Sequence, residues 1–337
     1  MRISVPGITR IGVALSCVLF FSLSARAETK TVRIAKQFGI SYLPLTVMEE
    51  SKLLEKHAKE LGVDVSVEWL RFTGGSGMND AILSGNLDFA SGGIGPLLII
   101  WSKTQKNYKV KGVAALNAMP LYLTTTNAGI KSLKDFTDKD RIALPGIKTS
   151  IQAVTLQMAC EQMFGKGQGG KLDSITVSMG HPDAQAAMLG GHSEIDAHFG
   201  SAPFMYDELA DPRVHKVLDS FQVVGGPHTF NTVWATSRFR DENPKIFQAF
   251  LDALQESMTI INDRPAAAAA LWIKNEGSKM TPEATAAMIK LPENQWTITP
   301  KKLSTYANFM YETGTLTAKP ESWKDVFFDN IHSLPGN

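Results

Sequence analysis

A glycine-rich run, residues 72–80, has the composition of a loop that binds an acceptor group. Gly74, Gly75 and Gly77 surround Ser76, between an alternating apolar run and a segment with a helical pattern. Glycines let a backbone approach a ligand closely, and the first amides of a helix lack partners and carry partial positive charge. The run therefore predicts a site for a negative or strongly accepting group. The alternative is an ordinary turn, in which glycines are also common.

A second pair of hydroxyl groups precedes another helical pattern. Thr149 and Ser150 stand before residues 151–164, and Thr149 and Gln152 have the Thr-x-x-Gln spacing of a capping box. Thr149 therefore either caps this helix or contacts a ligand. Both roles are compatible if Ser150 makes the ligand contact.

Four potential metal ligands alternate along residues 192–198. His192, Glu194, Asp196 and His198 would share one face of a strand, which would carry all four as possible ligands of a metal ion. Asp196, however, also fits an internal repeat, and the chain has no other histidine cluster. We therefore predict that the protein binds no metal and needs no cofactor.

The sequence carries none of the common catalytic motifs. It has neither a Gly-x-Ser-x-Gly elbow nor a His-Glu-x-x-His motif. Cys160 lies among apolar residues at helical spacing, as a small buried thiol does. The glycines of residues 166–170 lack the Gly-Lys-Ser/Thr ending of a phosphate loop. We therefore predict a binding protein and not an enzyme.

The N-terminus has the pattern of a secretory signal peptide. Arg2 and Arg10 precede an apolar run at 11–23, and Ala25 and Ala27 supply small residues at the −3 and −1 positions. The run is shorter than the roughly 20 residues of a membrane span. We expect residues 1–27 to be removed and the protein to act in the bacterial periplasm. The formal net charge of +1, without a basic tract, predicts no binding to nucleic acid.

The elements that would position these residues alternate between short strands and amphipathic helices. Residues 32–35, 63–70, 87–90 and 110–116 have strand patterns, separated by helical patterns such as residues 44–61. Strands and helices in this alternation predict an α/β fold with parallel β-α-β units. Later strands are expected at 121–125, 141–145, 175–179, 194–198, 216–218 and 231–236. From residue 243 onward the pattern is mostly helical.

An internal repeat indicates two domains of similar topology. Residues 83–88 are followed by Pro96, and residues 189–196 are followed by Pro203. Each copy has the pattern of a helix end, a glycine cap, a short strand and a helix opened by proline. Ligands of open α/β sheets bind beyond the carboxyl ends of the strands. Two such edges facing each other would form a cleft.

These segments together resemble the substrate-binding proteins of bacterial ABC importers. The resemblance is to the nitrate, sulfonate and taurine branch, which includes binders of pyrimidine precursors, and it spans nearly the whole chain after residue 27. It rests on the order and spacing of residues 37–42, 72–77, 81–89, 142–146 with 149–150, and 241–244.

The resemblance implies two lobes of the type II periplasmic-binding-protein fold, with two parallel-rich sheets joined by two crossing strands. The first lobe would comprise residues 28–118 and 229–337, and the second residues 119–228. The ligand contacts that the resemblance implies are Gln37, Phe38, Tyr42, Ser76, Gly77, Gly93, Ile94, Thr149, Ser150, His198 and Gly200.

The implied partners are a small ligand and a membrane permease, and we expect a monomer. The ligand is predicted to be a small organic oxyanion such as a sulfonate, or a nitrate-type anion. A neutral pyrimidine or thiamine precursor is the alternative, since aromatic residues and hydroxyls would hold either. A third possibility is a pyrimidine-synthase-like enzyme of the same fold, but that group carries a cysteine-rich motif, which this chain lacks.

Overall fold

The structure is a computed structural model that describes residues 1–4 and 27–337. The predicted signal peptide therefore lies almost entirely outside the described residues. Among the helices that the structure describes, none combines the length and the apolar character needed to cross a membrane.

Ten strands and fourteen α-helices are described after residue 27, besides four short 3₁₀ helices. The strands are β1 (Thr31–Lys36), β2 (Ser66–Arg71), β3 (Ala90–Gly93), β4 (Val110–Ala115), β5 (Tyr122–Thr125), β6 (Ile142–Leu144), β7 (Thr176–Ser178), β8 (Ala197–Gly200), β9 (His215–Asp219) and β10 (Asn231–Thr236). The helices are α1 (Leu43–Glu50), α2 (Leu53–Glu60), α3 (Gly75–Leu83), α4 (Ile94–Lys103), α5 (Ile151–Phe164), α6 (His181–Gly190), α7 (Phe204–Leu209), α8 (Ser220–Val224), α9 (Ser237–Glu242), α10 (Pro244–Asp263), α11 (Pro265–Glu276), α12 (Pro282–Ile289), α13 (Leu303–Glu312) and α14 (Trp323–Val326).

The first sheet contains the ladder β2-β1 and the ladder β3-β10-β4. β1 and β2 are parallel, and an isolated parallel bridge between Ile34 and Phe89, the residue before β3, connects the two ladders. β10 lies antiparallel between β3 and β4. We call the part of the molecule built on this sheet the first lobe. Its core includes Phe89, whose ring stacks on that of Phe250 in α10 with centroids 4.1 Å apart.

The second sheet repeats this topology in the order β7-β6-β8-β5-β9. β6 is parallel to both β7 and β8, and β5 lies antiparallel between β8 and β9. We call the part built on this sheet the second lobe. β10 and β5 are each antiparallel to both of their neighbours, and each begins just after the chain has crossed from the other sheet.

The two chain segments that link the sheets run side by side in opposite directions. Ala118 and Thr229 form an antiparallel bridge, and the amide of Leu116 donates to the carbonyl of Asn231 at 2.8 Å. Such a paired link has the geometry of a hinge. The division of the chain at residues 118 and 228 remains our proposal.

The internal repeat has an equivalent in both lobes. The Asp88 carboxylate accepts the amide of Arg33 at 2.8 Å, and the Asp196 carboxylate accepts the amide of Arg141 at 3.0 Å. The members of each pair are 55 residues apart, and the second pair follows the first after 108 residues. In the first lobe the carboxylate therefore joins β1 to the start of β3, and in the second lobe it joins the start of β6 to the start of β8.

Three boundaries differ from the sequence predictions. The helix expected at 44–61 is two helices, because Lys52 takes a left-handed conformation with φ of 50°. The strand expected at 87–90 lies at Ala90–Gly93, because Gly92 and Gly93 pair with β10. The strand expected at 194–198 begins only at Ala197, because Asp196 is held by the amide of Arg141.

Candidate functional site

Two helix N-termini from different lobes meet at the centre of the molecule. α4 begins after Gly93 in the first lobe, and α5 begins after Ser150 in the second. A Cβ atom on Gly93 would lie 2.6 Å from Cγ2 of Ile151, so only glycine permits this approach. The amides at both starts carry partial positive charge, which favours an anionic or strongly accepting guest between them.

Further glycines of the first lobe lie directly against the backbone of the second. A Cβ atom on Gly74 would stand 2.5 Å from the carbonyl oxygen of Pro145, and one on Gly95 would stand 2.6 Å from that of Thr149. At the rim, the hydroxyls of Ser76 and Thr149 are 2.9 Å apart and form a hydrogen bond between the lobes. The glycines predicted as a ligand loop thus also permit close contact between the lobes.

A small cavity remains between the lobes next to these helix starts. Its volume is about 10 Å³, enough for about one water molecule. Its lining comes from both lobes and consists of Gln37, Tyr42, Gly75, Gly93, Pro96, Pro145, Ser150, Ile151, Gln152, His181 and Phe230. In this arrangement the lobes are closed, and a larger guest requires them to separate or side chains to move.

Four of the predicted contact residues line this cavity: Gln37, Tyr42, Gly93 and Ser150. Tyr42 is buried, and burial raises the pKa of its phenol, so its hydroxyl keeps the proton that it can donate. The structure therefore brings together residues from the first loop, from the start of α4 and from the start of α5.

The other predicted residues lie outside the cavity lining. Ser76 and Thr149 pair at the rim, and Ile94 is buried at the start of α4. Phe38 lies against Arg71, whose guanidinium is 5.2 Å from the ring centroid, and Gly77 adjoins the ring of Phe72. His198 and Gly200 are buried in β8 inside the second lobe.

Ser150, and not Thr149, caps α5. The Ser150 hydroxyl accepts the amide of Ala153 at 3.2 Å, and its backbone is extended, as an N-cap requires. The capping-box interpretation was wrong by one residue, because the side chain of Thr149 turns instead to Ser76 across the cleft.

Three polar or aromatic side chains that line the cavity were not predicted as ligand contacts: Gln152, His181 and Phe230. His181 opens α6, the helix that follows the second parallel strand of its lobe, as α3 with its glycines does in the first lobe. The internal repeat makes the start of α6 equivalent to the start of α3, and this equivalence could have identified His181. Phe230 precedes β10 in the linking segment, where no sequence pattern marks it.

His181 continues into a buried row of polar side chains. Its Nδ1 lies 2.8 Å from Nε2 of His198, whose Nδ1 lies 2.5 Å from Oε1 of Glu208. The hydroxyl of Thr124 donates to the other Glu208 oxygen at 2.6 Å. Burial, together with the nearby His198, holds the pKa of His181 well below its usual range.

Among the described residues that line the cavity, none is a lysine, arginine, aspartate or glutamate. Arg71 pairs with Glu276 at 2.5 Å, and Lys36 pairs with Glu49 at 2.5 Å. The cavity therefore offers hydroxyls, amides and one imidazole. Such a lining can surround several acceptor oxygens without a full counter-charge.

A larger groove of about 630 Å³ lies on the other side of Thr149, between α4, α5 and α13. Its lysines, among them Lys103, Lys148 and Lys166, are exposed, so solvent screens their charges. Among the described residues, the converging starts of α4 and α5 lie at the smaller cavity, which is therefore the candidate site.

The metal hypothesis for residues 192–198 loses its structural basis. β8 begins after Asp196, and His192 and Glu194 are exposed in the turn before it. Across residues 1–4 and 27–337, no three His, Cys, Asp or Glu side chains are placed to hold a metal ion together.

A family model and several solved structures match the chain. The model of the family described as NMT1/THI5 like matches residues 59–268. No protein among the curated ones compared matches the sequence.

Among the solved structures is an alkanesulfonate-binding protein, SsuA, from Xanthomonas axonopodis pv. citri, bound to MOPS. It is 16% identical, has a TM-score of 0.68, and the match covers 87% of this chain and 96% of that one. The aliphatic sulphonate binding protein SsuA from Escherichia coli is 19% identical, with a TM-score of 0.64 and coverage of 89% and 92%. The nitrate-binding protein NrtA from Synechocystis PCC 6803 is 14% identical, with a TM-score of 0.67 and coverage of 89% and 85%. These likenesses show the fold of periplasmic binding proteins.

Proposed function

Because the chain belongs to the NMT1/THI5-like family and has the fold of periplasmic binding proteins, we propose that it is the solute-binding component of an ABC import system. It captures a small organic molecule between its two lobes and delivers it to a membrane permease. The observation that carries this proposal is the convergence of the α4 and α5 N-termini at a cavity lined from both lobes.

The ligand we propose is a small organic oxyanion such as a sulfonate. Its oxygens would accept from the helix-start amides, from the Ser150 hydroxyl and from the amides of Gln37 and Gln152. Several neutral donors at fixed positions suit an oxyanion, because each oxygen can find a donor. The rings of Tyr42 and Phe230 would contact the organic part.

The predicted N-terminal leader supports a role in the periplasm, where we propose that the protein acts as a monomer and meets its permease. A solute-binding protein needs no bound cofactor for this role. The proposal supposes no chemical change in the ligand.

A neutral pyrimidine precursor is the second candidate. The observation that favours it is the absence of any charged side chain among the described lining residues. A flat heterocycle would stack on the same aromatic rings and use the same donors. The two candidates therefore differ in whether the ligand carries net charge.

A thermal-shift screen with the mature protein separates these candidates. It would cover alkanesulfonates, taurine, nitrate, carboxylates and pyrimidines, because a ligand at 100 times its dissociation constant adds about 2.7 kcal/mol to stability. We expect sulfonates to raise the melting temperature and to bind in a one-to-one ratio by calorimetry. A shift with neutral heterocycles alone would overturn the oxyanion proposal, and conversion of a ligand to product would overturn the binding role.

A further inference from the structure

The row of polar side chains behind the cavity is almost completely buried. His198, Glu208 and Thr124 have no exposed surface, and His181 is 5% exposed. Only His181 reaches the cavity lining. Away from solvent, only a few distributions of protons over the two histidines and the carboxylate satisfy every hydrogen bond. The distribution determines whether His181 presents a donor or an acceptor to a ligand.

Glu208 fixes the first proton of the row. A buried carboxylate without a compensating charge is costly, and the 2.5 Å contact to His198 is short, as charge-assisted hydrogen bonds are. A protonated His198 supplies the compensating charge and donates its Nδ1–H to Glu208. Thr124 donates to the second carboxylate oxygen, so both oxygens are satisfied.

The proton on His198 then fixes the tautomer of His181. A protonated His198 carries a second N–H on Nε2, which donates to Nδ1 of His181 at 2.8 Å. His181 remains neutral, consistent with the direction of its pKa. With Nδ1 occupied as an acceptor, the proton of His181 lies on Nε2.

The Nε2 atom of His181 lies next to the amide of Gln152. The Nε2 atoms of the two side chains are 3.4 Å apart, a long contact whose direction depends on the tautomer of His181. With a proton on Nε2 of His181, neither nitrogen accepts from the other. Two N–H groups side by side at this separation can both donate to one acceptor oxygen placed between them.

We propose that His181 donates its Nε2–H to an oxygen of the ligand, and that His198 and Glu208 are positioning residues that hold this proton in place. The inference rests on the proposed function and names the side chain that replaces a cation in the site. The positive charge of His198 is neutralised by Glu208 within the row. The row therefore offers the ligand a hydrogen-bond donor without a net positive charge.

The proton positions can be measured directly on ligand-free protein. Long-range ¹H–¹⁵N spectra of protein labelled at histidine show which ring nitrogens carry protons, with His181→Phe used for assignment. We expect both nitrogens of His198 and only Nε2 of His181 to be protonated. In Glu208→Gln, His198 should carry a single ring proton. A His181 proton on Nδ1 in the wild-type protein would overturn the inference.

Affinity for butanesulfonate gives the second test. His181→Phe keeps a ring to stack on Phe204, whose centroid is 5.6 Å from that of His181, but removes the donor. We expect affinity to fall about 10- to 100-fold. His181→Gln, whose amide can donate, should bind more tightly than His181→Phe. His192→Phe, at an exposed histidine of the same lobe, should bind as wild type does.

The outcomes separate the inference from the function. Unchanged affinity in His181→Phe would overturn the inference and leave the transport role standing. If the wild-type protein binds no sulfonate, the proposed ligand is wrong, and the spectra alone decide where the proton of His181 lies.

Discussion

Two adjacent hydroxyls, Thr149 and Ser150, show what residue type alone can and cannot predict. Both were expected near the ligand, and both do lie at the interface between the lobes. Their separate tasks depend on backbone angles, which decide that Ser150 reaches the amide of Ala153 while Thr149 reaches Ser76. Spacing in the sequence suits either residue as the cap, so this choice could not be predicted.

Removing the two hydroxyls should therefore have different effects on stability. Ser150→Ala should lower the free energy of unfolding by about 0.5–2 kcal/mol, because a helix N-cap is lost. Thr149→Ala should change it little, since the hydrogen bond of Thr149 to Ser76 is exposed. Urea denaturation of both variants measures the difference. Equal losses would contradict the assignment of Ser150 as the cap.

The Asp140–Asp196 pair should make stability depend on pH. Burial and the neighbouring Asp140 raise the pKa of Asp196 to about 6, whereas hydrogen bonds from Thr137 help to lower that of Asp140. A raised pKa means that the folded state binds the proton more tightly. The stabilisation from Asp196 is therefore present below its unfolded pKa of about 4 and is lost as pH rises through about 6.

Asp196→Asn should remove this loss and keep an oxygen for the amide of Arg141. We expect the difference in unfolding free energy between wild type and variant to change between pH 5 and pH 7.5, as measured by urea denaturation. Asp183→Asn, at an exposed aspartate of the same lobe, serves as the control. A difference that does not depend on pH would show that Asp196 titrates normally.

At the scale of elements, the sequence predicted most of the architecture and the structure explains the remainder. The sequence located α5 at residues 151–164 and β10 at residues 231–236, because both segments are rich in apolar residues, most of which are buried. It did not reveal that α1 and α2 are separate, because a left-handed lysine leaves no apolar signature. His181 was missed because a histidine that opens a helix has no motif of its own.

The start of α4 offers a test of lobe contact. In Gly95→Ala the new Cβ atom would meet the Thr149 carbonyl oxygen at 2.6 Å. This contact exists only when the lobes are closed, so we expect weaker ligand binding with little change in melting temperature of the ligand-free protein. Gly190→Ala is the matched control, since nothing lies within 4 Å of its new Cβ atom. If Gly95→Ala binds the ligand with wild-type affinity, the ligand-bound lobes do not close in the arrangement that brings Gly95 against Thr149.

At the scale of the whole molecule, the paired links between the sheets allow the lobes to move as two bodies. The cavity of about 10 Å³ is too small to admit an organic ligand, so we expect an open form that admits it. Small-angle scattering should show the radius of gyration falling on saturation with ligand, toward the value calculated from the closed structure. An unchanged radius at demonstrated saturation would contradict a hinge.

Transport can be tested in cells. Deletion of this gene alone should abolish uptake of the ligand identified by the screen, because the permease would receive it only from the closed protein. Uptake that continues unchanged would indicate a sensor or a redundant carrier.

The position of β10 has a consequence for the order in which the protein can be assembled. β10 separates β3 from β4, although it is synthesised more than a hundred residues after both. Until residues 231–236 emerge, the first sheet lacks the strand that joins its two parts, whereas all the strands of the second sheet have already been made. Contacts this distant in sequence form slowly. We therefore expect the second lobe to fold first and the first lobe to remain incomplete for most of synthesis.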